Sequence, residues 1–199
     1  MKLKFLTLII TALLAGFACA APEPAGLPTA AGMWAQVYPD GRVGGWFLIF
    51  ENNNGLYEGA IAKMFLKPGE NPNPICMHCT GDQKNQPSLG LIIIKGMHRD
   101  SLTYENGTIL DPRDGHVYQA KMILSPDGQQ LTVRGFVGFE LFGQNQTWKR
   151  LPNDVLPLDQ MPPNLVQYWQ TLPKSSEMTN GTGGRPQRGG NWRAYQVPR

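Results

Sequence analysis

The sequence predicts an all-β protein built on an antiparallel, up-and-down barrel of about eight strands. Residues 117–124 alternate strictly, with Tyr118, Ala120, Met122 and Leu124 on one face of an extended chain, which is the period of a half-buried strand. The 23 Gly and 17 Pro residues separate many short apolar runs, a spacing that favours strands and turns over long helices. A chain of 199 residues has room for one such barrel with additional segments.

The N-terminal residues 1–20 have the features of a secretory signal peptide. Two lysines precede an apolar run over residues 5–17, and small residues follow up to Ala20. The apolar run is shorter than the roughly 20 residues that a membrane span needs. We therefore predict cleavage near Ala20 and a periplasmic or secreted protein, with lipidation at Cys19 as the less favoured alternative. Residues 21–31 are Pro- and Ala-rich and are predicted to form a flexible lead-in.

The predicted strands are short runs bounded by turn residues. Asn-Asn-Asn-Gly at residues 52–55 is a hairpin signal, because Asn and Gly accept left-handed backbone angles. The apolar run 89–94 fits a buried strand or one helical turn, and we favour a strand. Asn106-Gly107 is predicted to end the strand that precedes it. In chain order the predicted strands cover residues 32–38, 46–51, 56–66, 89–94, 101–105, 109–110, 117–124, 131–137 and 147–150.

The composition changes after Arg150. Residues 152–173 form a Pro-rich extension in which Asn164 is predicted to cap a short helix, and residues 174–199 are Gly- and Arg-rich and predicted to be disordered. The tail carries five basic residues and one acid, so the body of the protein is slightly acidic although the net charge is +3. A nucleic-acid-binding protein would show a basic face on its folded body. We therefore expect no nucleic-acid partner.

Three local patterns stand out in the predicted barrel. They are Gly32-Met33-Trp34, then Asn73-Pro74-X-Cys76-X-X-Cys79-X-Gly81, and Ile109-Leu110-Asp111-Pro112-X-X-Gly115-X-X-Tyr118 followed by Arg134-Gly135 and Gln146-Thr147-Trp148-X-Arg150. Together they resemble a bacterial exported family, domain of unknown function 2147, over residues 32–151. The resemblance implies a lipocalin-like (calycin) barrel in the periplasm and supplies no function.

A tryptophan on the first strand and a basic residue at the end of the last are the pair with which such barrels close one end. We predict that the Arg150 guanidinium lies over the Trp34 indole and bonds nearby carbonyls, a contact worth about 0.5–2 kcal/mol. Both residues are therefore predicted to be structural.

Cys76 and Cys79 are the two cysteines left after cleavage of the leader. In an oxidising compartment we favour a local disulfide that ties the long loop over residues 67–88. A metal site and a redox pair remain alternatives, but His78 is badly placed for a metal ligand between the two cysteines, and His98 and His116 lie on other segments that are predicted to be solvated loops.

No catalytic motif is present. The sequence contains no Gly-X-Ser-X-Gly, no His-Glu-X-X-His and no phosphate-binding loop. Asp111 and Asp114 are typical of turn acids rather than metal ligands. We therefore expect no enzymatic activity, no cofactor and no bound metal.

The leading hypothesis is an envelope binding protein for a small hydrophobic or amphipathic molecule. Trp46, Arg134 and Phe136 are the candidate ligand-binding residues, with further aromatic side chains at Phe47 and Phe139. If the face that carries Arg134 lines the barrel, its guanidinium could meet an anionic head group or a buried acid such as Glu58; if that face meets water, Arg134 is an ordinary surface residue. The alternative function is a structural or protein-interaction module that docks its basic tail on an anionic envelope surface and has no small-molecule ligand.

Overall fold

The computed structural model describes residues 26–138, 140 and 143–174. Within them eight antiparallel strands form a closed barrel, in which each strand pairs with the next and β8 pairs with β1. This confirms the predicted fold class. The strands are β1 (Gly32–Val37), β2 (Val43–Glu51), β3 (Tyr57–Met64), β4 (Ile92–Asp100), β5 (Thr103–Leu110), β6 (Val117–Leu124), β7 (Gln130–Phe136) and β8 (Gln144–Leu151).

The period-two alternation of the strands separates an inner from an outer face. Inward-facing apolar side chains alternate with outward-facing residues along the strands and fill the middle of the barrel. Several members of this core are fully buried, among them Trp34, Ile49, Met97, Met122 and Leu131.

A second buried cluster lies on the outer face of β1, β2 and β3. Its strand members include Met33, Ala35, Leu48, Phe50 and Ala60. An outer barrel face normally meets water, but this one is covered by residues 152–174. Leu156, Met161, Leu165 and Leu172 of that segment complete the cluster.

Specific contacts fix the extension on this outer face. The ring of Tyr168, in the short helix α1 (Val166–Gln170), stacks on Phe50 with 3.9 Å between centroids. The buried Asn153 side chain accepts a hydrogen bond from the Met33 backbone N–H at 3.1 Å and donates one to the Pro173 carbonyl at 2.8 Å. The Pro-rich extension is therefore an integral part of the folded protein.

The predicted cap of the C-terminal helix is wrong. The Asn164 side chain donates to the Gly90 carbonyl at 2.9 Å, and no side chain caps α1. A 3-10 turn forms over Pro163–Leu165, and the α-helix that follows it has only the five residues Val166–Gln170. Tertiary contact with the loop before β4 has replaced the local capping bond.

Two separately predicted strands form one. β5 runs from Thr103 to Leu110 through Asn106-Gly107, where the register with β6 shifts between Tyr104 and Gly107. Asn106 adopts φ 62° and forms a bulge instead of a turn. The sequence signal for left-handed backbone was correct, but its assignment to a strand end was wrong.

The strand predicted at residues 89–94 begins later and runs further. Gly90 adopts φ 85° in the loop, and β4 spans Ile92–Asp100. His98 consequently lies in a strand with its side chain exposed, not in a loop. In the described part of the chain, no helix is long and apolar enough to span a membrane.

Candidate ligand-binding site

One end of the barrel is closed by Trp34 and Arg150. The Arg150 guanidinium lies over the Trp34 ring, 4.3 Å from the centroid, and donates to the carbonyls of Thr29, Ala31 and Gly128. The indole N–H donates to the Ala30 carbonyl at 2.8 Å. Burial lowers the pKa of Arg150 to about 10, which leaves it charged at neutral pH.

Two tyrosines complete this closed end. The Tyr104 hydroxyl accepts a hydrogen bond from the Ala30 N–H at 2.8 Å, and the Tyr57 hydroxyl lies 3.0 Å from Thr29 Oγ1. The two tyrosine rings meet edge to face, and burial raises the pKa of Tyr57. Residues 29–31, within the predicted flexible lead-in, are thus held against the barrel.

The other end is open and leads into a cavity of about 1450 Å³. Its floor is the stacked pair Phe47 and Trp148, whose ring centroids are 4.2 Å apart. Both side chains are buried because they lie on the inner faces of β2 and β8. Further apolar side chains form the lower wall, namely Ile61, Ile93, Ile109 and Val133.

One sector of the wall is polar but uncharged. Gln146 Oε1 accepts a hydrogen bond from Gln36 Nε2 at 2.6 Å and from the Trp148 indole N–H at 3.3 Å. These residues are neighbours because Gln36 pairs with Trp148 across β1 and β8. The cavity therefore combines an apolar floor with fixed amide groups.

Charged side chains lie on the loops that form the rim. Arg42 bonds Asp40 at 2.7 Å, and Arg113 makes a two-pronged contact with Asp111. The Arg113 guanidinium holds the pKa of Asp111 below its usual value, and Arg42 does the same for Asp40. Most of the charge at the rim is thus paired within single turns.

The long loop between β3 and β4 braces this rim. Cys76 and Cys79 form the predicted disulfide, and both are buried. Cys76 Sγ lies 3.3 Å from the Pro112 carbonyl oxygen. A Cβ atom placed on Gly115 would lie only 2.1 Å from the His78 carbonyl oxygen, so the β5–β6 turn rests directly on the disulfide loop.

The histidines do not form a common centre. His116 contacts Asp114 at 3.2 Å on the exposed β5–β6 turn, while His98 projects from β4. Within residues 26–138, 140 and 143–174, no three His, Cys, Asp or Glu side chains gather in a way that could hold a metal ion.

The structure separates the three residues singled out as ligand contacts. Trp46 lies in the outer cluster beside Phe65 and Lys63, because Phe47 occupies the inner face of β2. Arg134 also faces outward and bonds Asn145 at 2.6 Å. Neither lines the cavity, and Arg134 does not meet Glu58, whose carboxylate accepts from Asn52.

Phe136 is the member of that set that borders the cavity, at its rim. The aromatic prediction at Phe139 lies outside the described residues.

Sequence reasoning missed Gln36, Gln146 and Trp148, although a signal for them existed. The predicted Trp34–Arg150 contact requires both residues to face the barrel interior. Alternation then directs Gln36, two residues after Trp34, and Trp148 and Gln146, two and four residues before Arg150, to the same side.

A closed eight-stranded antiparallel barrel, plugged at one end and hollow at the other, defines a lipocalin-like protein. The fold is similar to that of protein HP1028 from Helicobacter pylori, a solved structure described as belonging to the lipocalin family. The TM-score is 0.53 at 16% identity, over 67% of this chain and 95% of that chain.

The chain belongs to the family described as "Uncharacterized protein conserved in bacteria", domain of unknown function 2147, whose model matches residues 32–150. This confirms the resemblance inferred from the motifs. No curated protein matches the sequence.

Proposed function

We propose that this protein binds a small hydrophobic or amphipathic molecule in the cavity above Phe47 and Trp148, in the bacterial envelope, and that it acts as a carrier and not as an enzyme. The observation that carries the proposal is the cavity itself. Small-molecule sites typically have volumes of roughly 300–1,000 Å³. The open cavity, at about 1450 Å³, therefore has room for one such molecule.

The arrangement of the two ends supports this function. Within the described residues, the segment around Ala30 and Arg150 close one end with a buried and a half-buried hydrogen bond, which leaves the open rim as the entrance for a molecule. Below the floor the barrel is filled by side chains such as Met122 and Met97. A ligand would therefore occupy only the outer half of the barrel, with its apolar part on the floor and its polar part toward the rim.

The envelope location rests on two further observations. The leader at residues 1–20 is typical of exported proteins, and a buried disulfide such as Cys76–Cys79 persists in an oxidising compartment. Fractionation of bacterial cells that express the full chain, followed by N-terminal sequencing of the mature protein, tests both the compartment and the cleavage near Ala20.

Native mass spectrometry of the protein purified from the periplasm tests ligand binding. We expect an additional mass that organic extraction removes, and we expect the extracted protein to bind the uncharged probe N-phenyl-1-naphthylamine with a rise in fluorescence. A matched pair of variants locates the site. Ile109→Trp fills the cavity from its wall, whereas Ile123→Trp adds the same bulk to the exposed outer face of β6.

The proposal requires Ile109→Trp to lose probe binding and Ile123→Trp to retain it. Equal binding by both variants would show that the probe binds elsewhere. The absence of any copurified molecule and of any probe binding would refute the carrier function.

The alternative function, a module that docks its basic tail on an anionic surface, concerns residues 174–199, of which residues 175–199 lie outside the described part of the chain. It stays a prediction, and loss of association with anionic vesicles at low salt on deletion of residues 174–199 would support it.

A further inference from the structure

We infer that the cavity selects uncharged, flat ring compounds that carry a hydrogen-bond acceptor, and that it discriminates against carboxylates of the same skeleton. The inference rests on the proposed function and specifies the ligand class of that site. Three features of the cavity carry it: the aromatic floor, the amide cluster and the placement of charge.

The floor favours ring systems. Phe47 and Trp148 stack face to face with an interplanar angle of 18°, so the buried indole supports the Phe47 ring from below and holds it rigid at the floor. Trp148 is held in place by its indole N–H bond to Gln146, and Phe47 is buried between neighbouring strands. Aromatic groups gain contact area and favourable stacking on such a platform, whereas a flexible chain loses conformational entropy on binding.

The amide cluster supplies a directed donor. The oxygen of Gln146 already accepts from two donors, Gln36 and Trp148, so this amide is fixed with its oxygen turned toward them. Gln146 is exposed although Trp148, on the same face of β8, is buried, because the Gln146 amide borders the open cavity. Its Nε2 group is therefore the donor available to a carbonyl or hydroxyl oxygen of a ligand.

Positive charge is kept away from the floor. Arg42 and Arg113 are bound by acids of their own turns, and Lys63, which also borders the cavity, directs its ammonium group to the Trp46 ring of the outer cluster, 4.8 Å from the centroid. Lys67, the fourth basic residue of the lining, lies in the exposed loop after β3. The buried lining residues are all apolar.

A carboxylate bound above the floor would thus lose hydration without a cation to replace the lost water, and this desolvation would weaken its binding affinity. A neutral amide or ketone of the same shape loses less hydration and gains the Gln146 hydrogen bond. The result is selectivity for the neutral compound, which we expect to amount to about tenfold or more at neutral pH.

A matched pair of fluorescent probes tests this selectivity. Pyrene-1-carboxamide and pyrene-1-carboxylate share one skeleton and differ in charge, and their binding to the extracted full-length protein can be followed by energy transfer from tryptophan. We expect the carboxamide to bind at least about tenfold more tightly than the carboxylate.

Two substitutions at one position and one control assign the effect to the amide cluster. Gln146→Leu should bring carboxamide affinity down to that of unsubstituted pyrene. Gln146→Lys should reverse the preference by supplying the missing cation, while Gln119→Lys, which adds the same charge on the outer face of β6, should not. Circular dichroism verifies that each variant is folded.

Equal affinity for the two probes in the wild-type protein would overturn the inference and leave the carrier function standing. An unchanged preference in folded Gln146→Lys would also overturn it. If neither probe binds, the proposed ligand class is wrong. The carrier function is then also refuted if mass spectrometry finds no copurified molecule, and it stands if such a molecule is found.

Discussion

Replacement of Arg150 by Ala should be among the most damaging single substitutions in the barrel. The change removes a guanidinium that donates to the carbonyls of Thr29, Ala31 and Gly128 and stacks on Trp34. Each of these half-buried carbonyls left without a donor costs up to about 1–3 kcal/mol, and the lost stack costs about 0.5–2 kcal/mol. Removal of a buried charge offsets part of this loss, because desolvation of an ion costs several kcal/mol.

The net expectation is a loss of about 2–4 kcal/mol in the free energy of unfolding. Urea unfolding followed by circular dichroism measures it, provided that the slope with denaturant is unchanged. Arg99→Ala is the matched control. Arg99 also donates to carbonyls of the N-terminal segment, Leu27 at 3.1 Å and Pro28 at 2.9 Å, but it does so at the exposed surface.

Because water can replace an exposed donor, Arg99→Ala should cost under about 1 kcal/mol. The reasoning on the closed end is wrong if Arg150→Ala is no more destabilising than Arg99→Ala. It is also wrong if Arg150→Lys restores full stability, since an ammonium group cannot reproduce the planar fork of donors.

Two further substitutions test the extension and the rim. Asn153→Ala leaves the Met33 N–H and the Pro173 carbonyl without their partner. It should lower the free energy of unfolding, measured in urea, by about 2–4 kcal/mol. Asn164→Ala breaks one half-buried bond and should lower it by about 1 kcal/mol. Gly115→Ala should cost about 2–4 kcal/mol, because the new methyl group meets the His78 carbonyl oxygen. Gly41 has a similar φ of 82° and open space around it, so Gly41→Ala should show only the backbone penalty of about 1 kcal/mol. Equal losses of stability in the two variants would contradict the close packing of the rim.

Much of the barrel could be predicted because its signals are local. The alternation in β6 and the turn residues after Asn52 and Ser125 determine strands and hairpins without reference to distant parts of the chain. The Trp34–Arg150 contact joins the first and the last strand of the barrel, which are far apart in sequence. The family motifs that contain these two residues indicated it. The disulfide between Cys76 and Cys79 was predicted from their proximity in sequence and from the predicted secretory leader.

The candidate site was harder to predict because period-two alternation defines two faces without saying which one is inside. Trp46 and Phe47 are adjacent aromatic residues on β2, and nothing in their immediate sequence decides which one enters the cavity. The same uncertainty applied to Arg134 and Val133 on β7. The register of the strands settles the question for β2, since Phe47 lies directly opposite Trp34, which faces the interior, whereas Trp46 lies opposite Ala35 of the outer cluster.

The sequence by itself determined an eight-stranded antiparallel barrel and the residues that close one of its ends, because these depend on patterns within short segments. Tertiary structure alone decided that the Pro-rich extension covers the outside of β1–β3, that Asn164 bonds Gly90 instead of capping a helix, and that Gln36, Gln146 and Trp148 meet in one wall of a cavity. Gln36 and Gln146 are 110 positions apart, and Met33 and Asn153 of the extension are 120 positions apart. The free energy that brings such residues together comes from burial of surface that no local window of the sequence contains.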